Sequence, residues 1–293
     1  MLEEFLKYLQ YEKNYSTHTV LSYKKDIEQF LTYFADTNKN VAIEQAEKDD
    51  IRLWVVDLMN KKFTSTSVNR KLSALKSFYK YLLKNNIIAK NQASGIVAPK
   101  KGSPIPVFFT EKEINKLDTK NTQKKEFETV RNDLIIELLY QTGIRRAELI
   151  NIKINDIDFY RKTIKIFGKR KKERFIPFGE NLDNEMKYYL KKKEEKVNLL
   201  NNYFFVLENG KPLYPRAVYN IVTQKLASIS TKLKHSPHTL RHTFATALLN
   251  NGAELNAVKE LLGHSSLAST QVYTHTSFKE LQNIYKKTHP RAN

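Results

Sequence analysis

The chain has 293 residues and 41% of them are hydrophobic, which is enough apolar material to fill the cores of two ordinary domains. Its 50 lysines and arginines outnumber its 31 aspartates and glutamates, and the formal charge of +19 favours an anionic partner, with nucleic acid first and an anionic membrane surface as the alternative. Cysteine is absent, no apolar run approaches the roughly 18 residues of a membrane-spanning helix, and no apolar signal-peptide core opens the chain, so disulfides are excluded and we expect a cytoplasmic protein without membrane contact.

Residues 1–95 are predicted to form a wholly helical bundle, because apolar residues recur three and four positions apart along them. Ser16 or Thr17 is expected to cap one of these helices, and Ser65 or Thr66 a later one. Opposite the apolar face of the later helix lie five polar side chains: Asn69, Arg70, Lys71, Lys76 and Lys80. They are placed either to reach DNA phosphates or to be solvated, and spacing alone does not separate these interpretations.

A segment without regular periodicity, residues 96–107, follows the bundle and contains three prolines and one glycine. It is predicted to be a linker between two domains. Thr110 and Glu113 form a capping-box pattern near the start of the second domain, residues 108–293, in which helical periodicity dominates. The exception is Ile157–Phe178, where two apolar runs flank a basic turn and predict a β-hairpin. On composition alone, a solvated charge run is the simpler interpretation of that turn.

Four short patterns occur in one order along the chain. They are Thr142–Leu149, the turn at Lys169, Ser236–His242, and Leu262–His264 followed by Thr270–His275. In this order they resemble the tyrosine site-specific recombinases of the phage integrase family. Two amino-terminal segments, Tyr15–Thr19 and Arg70–Tyr79, are similar to the core-binding domain of the XerC/XerD-like members, so the resemblance covers nearly the whole chain.

The resemblance implies a mainly α-helical fold, with a SAM-like core-binding bundle in residues 1–95 and a mostly helical catalytic domain with a small β-sheet in residues 108–293. It also implies six catalytic residues, which are Arg145, Lys169, His238, Arg241, His264 and the nucleophile Tyr273. It implies no cofactor. The seven scattered histidines have no zinc-binding spacing, which favours metal-free chemistry.

Two arginines of this set suit the charge of a phosphodiester under attack. Arg145 and Arg241 carry planar guanidinium groups that stay cationic and can donate to the nonbridging oxygens. For Arg145 the alternative is a surface ion pair with Glu148, three residues further on. Arg146 stands where the family usually has an aliphatic residue and is a rival for the phosphate. Its helix position directs it elsewhere, so Arg145 is preferred.

His238 and Arg241 differ by three positions, so a helix that starts at Ser236 or Pro237 places both side chains on one face. By the resemblance, His238 accepts the tyrosine proton or hydrogen-bonds the phosphate, and His264 donates to the second nonbridging oxygen or helps to hold the nucleophile. The alternative for each is a helix-capping or core histidine. That alternative is preferred for the two other histidines of these patterns: His242 and His275.

Tyr273 is chosen from 16 tyrosines by its place in the pattern. Its phenol needs a base and a cationic pocket at neutral pH, because the ordinary pKa of tyrosine is near 10. In the family, attack gives a 3′-phosphotyrosine, and Lys169 would protonate the departing 5′ oxygen. Lys171 and Lys172 in the same turn are rival acids. The bond energy stays in the covalent link, so rejoining needs neither ATP nor a metal.

The family architecture implies double-stranded DNA with a specific recombination site as the partner, and four protomers around two such sites. We expect a tetramer that is homomeric or includes a second Xer-type recombinase, with a DNA translocase as activator. An apolar face near the carboxyl terminus packs either into a neighbouring subunit or on its own domain. It consists of Phe278, Leu281, Ile284 and Tyr285.

The expected function is chromosome or plasmid dimer resolution at cell division. A mobile-element integrase or a DNA invertase would share every catalytic residue and differ only in the DNA that it pairs. The compact length, with no arm-binding domain before Met1–Leu9, favours the Xer-type role. Two alternatives remain: a type IB topoisomerase, which would relax DNA without a defined site, and a noncatalytic DNA-binding protein, which would form no covalent adduct.

Overall fold

The computed structural model describes residues 1–38, 41–100, 102, 107–116, 126–168, 173–197, 202–230, 235–263 and 275–292, with the backbone alone for 275–278. The chain separates into two compact units, Met1–Pro104 and Ile105–Asn293, and each has a hydrophobic core of its own. None of the described helices is long and apolar enough to cross a membrane.

The amino-terminal unit is helical, as predicted. Its α-helices are α1 (Leu2–Lys7), α2 (Thr17–Thr37), α3 (Lys48–Asn60) and α4 (Ser65–Lys84); α1 continues into a π-helix over Tyr8–Glu12, and a 3-10 turn covers Ile43–Gln45. The core forms where α2, α3 and α4 pack together. Aromatic rings fill it edge to face, with Phe30 against Trp54 at 5.0 Å and Phe5 against Phe78 at 5.3 Å between ring centroids.

Two helix caps show how closely the sequence fixes the start of a helix. Ser16 caps α2, because its side-chain oxygen accepts a hydrogen bond from the backbone N–H of Thr19 at 3.3 Å. The cap of α4 is Thr64, one residue before the predicted pair. Its side-chain oxygen accepts from the backbone N–H of Ser67 at 3.3 Å, so Ser65 is the first helical residue rather than the cap.

The polar face of α4 is used largely within its own unit. Lys71 is buried and its Nζ donates to Asp26 Oδ1 at 3.0 Å. Asn69 and Lys76 donate to main-chain carbonyls in the segment 96–99, at 3.0 and 2.9 Å. These contacts hold the start of the predicted linker against the helix. The burial of Lys71 and its bond to Asp26 also remove this lysine from the set of side chains that can reach DNA.

The second unit is built around one buried helix. Its helices are α5 (Glu111–Ile114), α6 (Phe127–Thr142), α7 (Arg146–Leu149), α8 (Glu180–Lys196), α9 (Pro215–Ala227), α10 (Pro237–Asn250), α11 (Leu255–Leu262) and α12 (His275–Thr288). Nearly all of α6 is buried, because α8, α9 and α10 all pack on it. The predicted capping box opens α5, where Thr110 N donates to Glu113 Oε2 at 2.8 Å and Glu113 N donates to Thr110 Oγ1 at 3.3 Å.

A three-stranded antiparallel sheet interrupts the helices. It has the order β1 (Ile157–Asp158), β2 (Thr163–Phe167) and β3 (Glu173–Pro177), and Ile164 lies opposite Ile176 in the register. Both isoleucines face the domain core and are fully buried. The predicted small sheet is therefore confirmed, while the basic turn at residues 169–172 lies outside the described residues.

The carboxyl-terminal helix packs on its own domain. On α12, Leu281 and Tyr285 are buried against a cluster that includes Phe244 of α10. Beyond the helix, the guanidinium of Arg291 pairs with the buried carboxylate of Glu137. Of the two interpretations of this apolar face, the one observed for these side chains is packing within the same chain. The side chain of Phe278 lies outside the described residues.

Gly143, which ends α6, is required by both backbone conformation and space. Its φ of +60° lies in the left-handed region, and a Cβ would lie 2.4 Å from Phe244 and 2.9 Å from Leu262. We expect Gly143→Ala to lower the free energy of unfolding by about 3 kcal/mol, through backbone strain plus overpacking. Urea denaturation of the purified protein measures this difference.

Gly252→Ala is the matched control for that substitution. Gly252 also has a positive φ, of +88°, but a Cβ there would meet nothing within 4 Å. Backbone strain alone predicts a loss of about 1 kcal/mol. Equal losses in the two variants would show that the crowding against Phe244 and Leu262 has no energetic weight.

Candidate active site

Three arginines converge on the carboxyl end of α11. The last carbonyls of a helix have no partner within it and carry the negative end of the helix dipole, so they attract cations. Each guanidinium donates to one of three successive carbonyl oxygens: Arg174 to Leu261 at 3.1 Å, Arg241 to Leu262 at 2.6 Å, and Arg145 to Gly263 at 3.2 Å. These three side chains, from β3, α10 and the residue before α7, are called the arginine cluster below.

One buried carboxylate joins two members of the arginine cluster. Glu148 Oε1 accepts from Nη1 of Arg145 at 2.9 Å and from Nη1 of Arg174 at 3.0 Å. Glu148 Oε2 accepts from the backbone N–H of Arg145 and from Nη2 of Arg174, both at 2.8 Å. Burial acts to raise the pKa of Glu148, but the hydrogen bonds and charge of Arg174, with the two bonds from Arg145, outweigh it and lower that pKa.

Arg241 connects the carboxyl ends of two helices, α6 and α11. It is buried on α10, and its Nη1 also donates to the carbonyl of Gly143 at 2.6 Å. Burial, followed by repulsion from Arg145, lowers the pKa of Arg241 to about 10; Glu148 opposes this shift, and Arg174 adds a smaller repulsion. A negatively charged ligand would relieve this repulsion, so the geometry favours an anion.

His238 stands one helical turn before Arg241. Ser236 caps α10 by accepting from the backbone N–H of Thr239 at 3.3 Å, and Pro237 is the first helical residue, as predicted. His238 is exposed to solvent. The structure thus brings Arg145 and Arg241 to neighbouring carbonyls and places His238 on the helix that carries Arg241.

Three predicted residues lie outside the described residues: Lys169, His264 and Tyr273. The same holds for the rival acids Lys171 and Lys172. The structure does describe His242, which is half-buried and packs its ring edge-on against Phe108 at 6.2 Å between centroids, in keeping with a structural role.

Exposure to solvent distinguishes Arg145 from the other members of the arginine cluster. The side chain of Arg145 is 37% exposed, whereas those of Glu148 and Arg174 are only 6% and 7% exposed. Among the residues that the structure describes, three guanidinium groups and one carboxylate lie at this helix end, which leaves two positive charges in excess. That excess suits a phosphodiester, whose nonbridging oxygens gain charge as it is attacked. No group of three or more metal-binding side chains occurs among the residues that the structure describes.

Family comparisons match both units of the chain. The model of the phage integrase family matches residues 107–280, and that of the phage integrase N-terminal SAM-like domain matches residues 2–86. The chain belongs to the phage integrase family. It is therefore a site-specific tyrosine recombinase, an enzyme that cleaves and rejoins DNA.

Curated relatives resemble this recombinase over its whole length. The tyrosine recombinase XerC of Anoxybacillus flavithermus is 41% identical over 99% of this chain and 98% of the relative, and that of Bacillus subtilis is 39% identical over 98% and 95%. A crystal structure of XerH recombinase bound to a palindromic difH substrate, in a post-cleavage complex, superimposes with a TM-score of 0.73. It covers 97% of this chain and 83% of that one at 23% identity, a similarity of fold.

Two residues of the recombinase site are not in the predicted catalytic set. The sequence indicates Glu148 only as a surface partner for Arg145, and the structure corrects this, because the carboxylate is buried. Arg174 stands at the end of the basic turn, where it looks solvated, yet it is buried on β3. Strand alternation is the signal that identifies it: Arg174 and Ile176 are two residues apart and share the buried face.

The lowered pKa of Glu148 makes the recombinase's stability depend on pH. A carboxylate whose pKa falls on folding stabilises the fold above its unfolded-state pKa, near 4.3, and loses that contribution as pH falls through the folded-state value. We expect Glu148→Gln to lower the free energy of unfolding at pH 7 by about 3 kcal/mol, because it leaves Arg174 buried without a counter-charge. The difference in the free energy of unfolding between the variant and the unmodified protein should narrow between about pH 5 and about pH 3, as the pH falls below the unfolded-state pKa.

Urea titrations at pH 7, 5 and 3 measure this effect. The control is Glu12→Gln, which removes a carboxylate paired with Lys84; both side chains are 64% exposed. An exposed carboxylate should change stability by less than about 1 kcal/mol. A Glu148→Gln deficit that stays constant across this pH range would contradict the assignment of an ionised Glu148.

Proposed function

We propose that this recombinase resolves chromosome or plasmid dimers at cell division, by metal-free strand cleavage and rejoining through a 3′-phosphotyrosyl intermediate. The observation that carries the chemistry is the arginine cluster, with two excess positive charges on the end of α11 and a partly exposed Arg145. The full-length similarity to curated XerC recombinases supports the biological role.

In the proposed mechanism, Arg145 and Arg241 each donate to a nonbridging oxygen of the scissile phosphate. The two positive charges exceed the single negative charge of the intact diester. They therefore stabilise the transition state, in which the phosphate is more negative, better than they stabilise the substrate. His238, exposed one turn from Arg241, accepts the proton of Tyr273 or hydrogen-bonds the phosphate. His264 donates to the second nonbridging oxygen or holds the tyrosine.

Cleavage joins Tyr273 to the 3′ phosphate and releases the 5′ oxygen, which Lys169 protonates. In rejoining, the 5′ hydroxyl of another strand attacks the phosphotyrosine and the tyrosine leaves. One phosphate ester is exchanged for another in each step, so no external energy source is required. The proposed reaction therefore needs no nucleotide, metal or other cofactor.

Double-stranded DNA with a specific recombination site is the proposed partner, and we propose four protomers around two sites. The tetramer is homomeric or contains a second Xer-type recombinase, and a DNA translocase activates it. The solved XerH structure, which is bound to its DNA substrate, supports the DNA partner. We propose a cytoplasmic location, because the chromosome and plasmid dimers that the enzyme would resolve lie in the cytoplasm.

A denaturing gel tests the proposal with a nicked suicide substrate, in which cleavage releases a short strand and traps the protein on DNA. The substrate carries a dimer-resolution site, and the buffer contains a chelator. A covalent adduct on this site, and none on a scrambled site, is the expected result. Relaxation of plasmids that lack the site would instead indicate a topoisomerase. Binding without an adduct, even with a partner recombinase and a DNA translocase present, would indicate a noncatalytic protein.

A further inference from the structure

Arg174 is a buried arginine that the proposed mechanism does not use. Its side chain is 7% exposed, so it has no access to a DNA phosphate. All three nitrogens of its guanidinium donate within the protein: Nη1 and Nη2 to the two oxygens of Glu148, and Nε to the carbonyl of Leu261. A planar fork with each nitrogen engaged has a single orientation.

That orientation fixes Glu148, and Glu148 in turn fixes Arg145. Each carboxylate oxygen receives one donor from each arginine, with all four distances between 2.8 and 3.0 Å. The carboxylate is thus saturated, and only one edge of it faces Arg145. Without Arg174, the same buried carboxylate would lose two of its four hydrogen bonds and keep a single cationic partner, so its position relative to Arg145 would be less restricted.

Arg174 also connects this pair to the end of α11. Its Nε bond to Leu261 lies next to the carbonyls that hold Arg241 and Arg145. The fit there is close, since a Cβ on Gly263 would lie 3.0 Å from Nη1 of Arg174. One side chain therefore couples β3, the start of α7 and the carboxyl end of α11.

We propose that Arg174 is a positioning residue, which acts through Glu148 to hold the guanidinium of Arg145 against the scissile phosphate. This inference rests on the proposed function, because it assigns Arg145 to the phosphate. The role requires the shape of arginine and not only its charge. A lysine at position 174 keeps the cation but has one nitrogen in place of three.

The test compares Arg174→Lys with Arg131→Lys in the full-length protein. Arg131 is a matched control: it is 2% exposed and donates to Glu128, Asn132 and the carbonyl of Val206, away from the arginine cluster. Single-turnover cleavage of the suicide substrate, DNA affinity and thermal unfolding are measured for both variants. We expect Arg174→Lys to cleave about 10²-fold more slowly with affinity unchanged within about threefold, as for a small misplacement of a catalytic group.

Arg131→Lys is expected to cleave at close to the normal rate, even where it loses as much thermal stability as Arg174→Lys. Cleavage that falls in both variants in proportion to their stability would overturn the proposal.

A second substrate, with a methylphosphonate at the scissile position, has one uncharged group in place of a nonbridging oxygen. It needs less cationic charge, so the defect of Arg174→Lys should shrink to less than about tenfold on the favourable stereoisomer. An undiminished defect on both stereoisomers would also overturn it.

A readout without DNA separates this inference from the proposed function. Phenylglyoxal modifies accessible guanidinium groups, and mass spectrometry follows its addition to Arg145. Arg145 should react several-fold faster in Arg174→Lys than in Arg131→Lys or the unmodified protein. If Arg145 is labelled faster in Arg174→Lys but the unmodified protein forms no adduct, the positioning role is retained and the proposed function is rejected. If the unmodified protein does form the adduct but labelling and cleavage are both unchanged in Arg174→Lys, the positioning role alone is rejected.

Discussion

Replacing Tyr273 by phenylalanine is expected to abolish the covalent protein–DNA adduct and to leave DNA affinity within about twofold. The substitution removes only the hydroxyl oxygen that would bond to phosphorus, and no water molecule can supply a trapped protein link in its place. The measurement is the suicide-substrate gel, with affinity taken from a mobility shift on intact duplex. Loss of the adduct at full affinity would assign the nucleophile to this residue.

Tyr160→Phe is the control for accessibility. Tyr160 is 96% exposed in the same unit, so it is open to solvent and to DNA but stands outside the four sequence patterns. This variant should form the adduct at the normal rate. An adduct that persists in Tyr273→Phe and disappears in another tyrosine variant would assign the nucleophile to that other tyrosine.

Arg145→Gln is expected to slow single-turnover cleavage by about 10³-fold, the usual effect of removing a charged donor from a developing oxyanion. Glutamine keeps a planar hydrogen-bonding end but removes the positive charge. The side chain of Arg145 is 37% exposed, so its loss should change the fold less than loss of the buried Arg174 or Arg241. Rapid-quench cleavage assays at saturating protein separate this rate from binding.

Arg161→Gln removes a charge of the same sign from the same unit without touching the arginine cluster. Its side chain is 75% exposed and pairs only loosely with Asp158, at 3.8 Å. We expect a cleavage rate within about twofold of normal and a slightly weaker salt-dependent affinity. If Arg145→Gln lost affinity by as much as it lost rate, Arg145 would be a general DNA contact and not a group that acts on the transition state.

Much of the fold follows from local signals in the sequence. Ser16, Ser236 and the Thr110–Glu113 pair predict three helix starts, and each makes the expected capping bond. The capping threonine of α4 lies one residue outside the predicted pair, because several hydroxyl residues in a row offer equivalent caps and only the backbone geometry decides among them.

The site could be predicted less completely, and the reason is burial. The family resemblance indicates His238 and Arg241, and the structure contains the helix on which their three-residue spacing brings them together. Glu148 and Lys71 are charged residues that composition assigns to the surface, and both are buried because a partner distant in sequence neutralises them. Such partners are set by tertiary packing, which local periodicity does not encode. The roles of Lys169, His264 and Tyr273 remain predictions from the motifs.

The lowered pKa of Arg241 implies a conflict between thermostability and turnover. Three cations crowded at one helix end repel each other unless an anion neutralises them, so the free protein is less stable than its packing alone would allow. Selection for heat resistance would favour neutral residues at these positions, and selection for recombination would oppose them. The arginine cluster is thus where adaptation to a hotter environment would be most constrained, and stabilising changes should accumulate away from it.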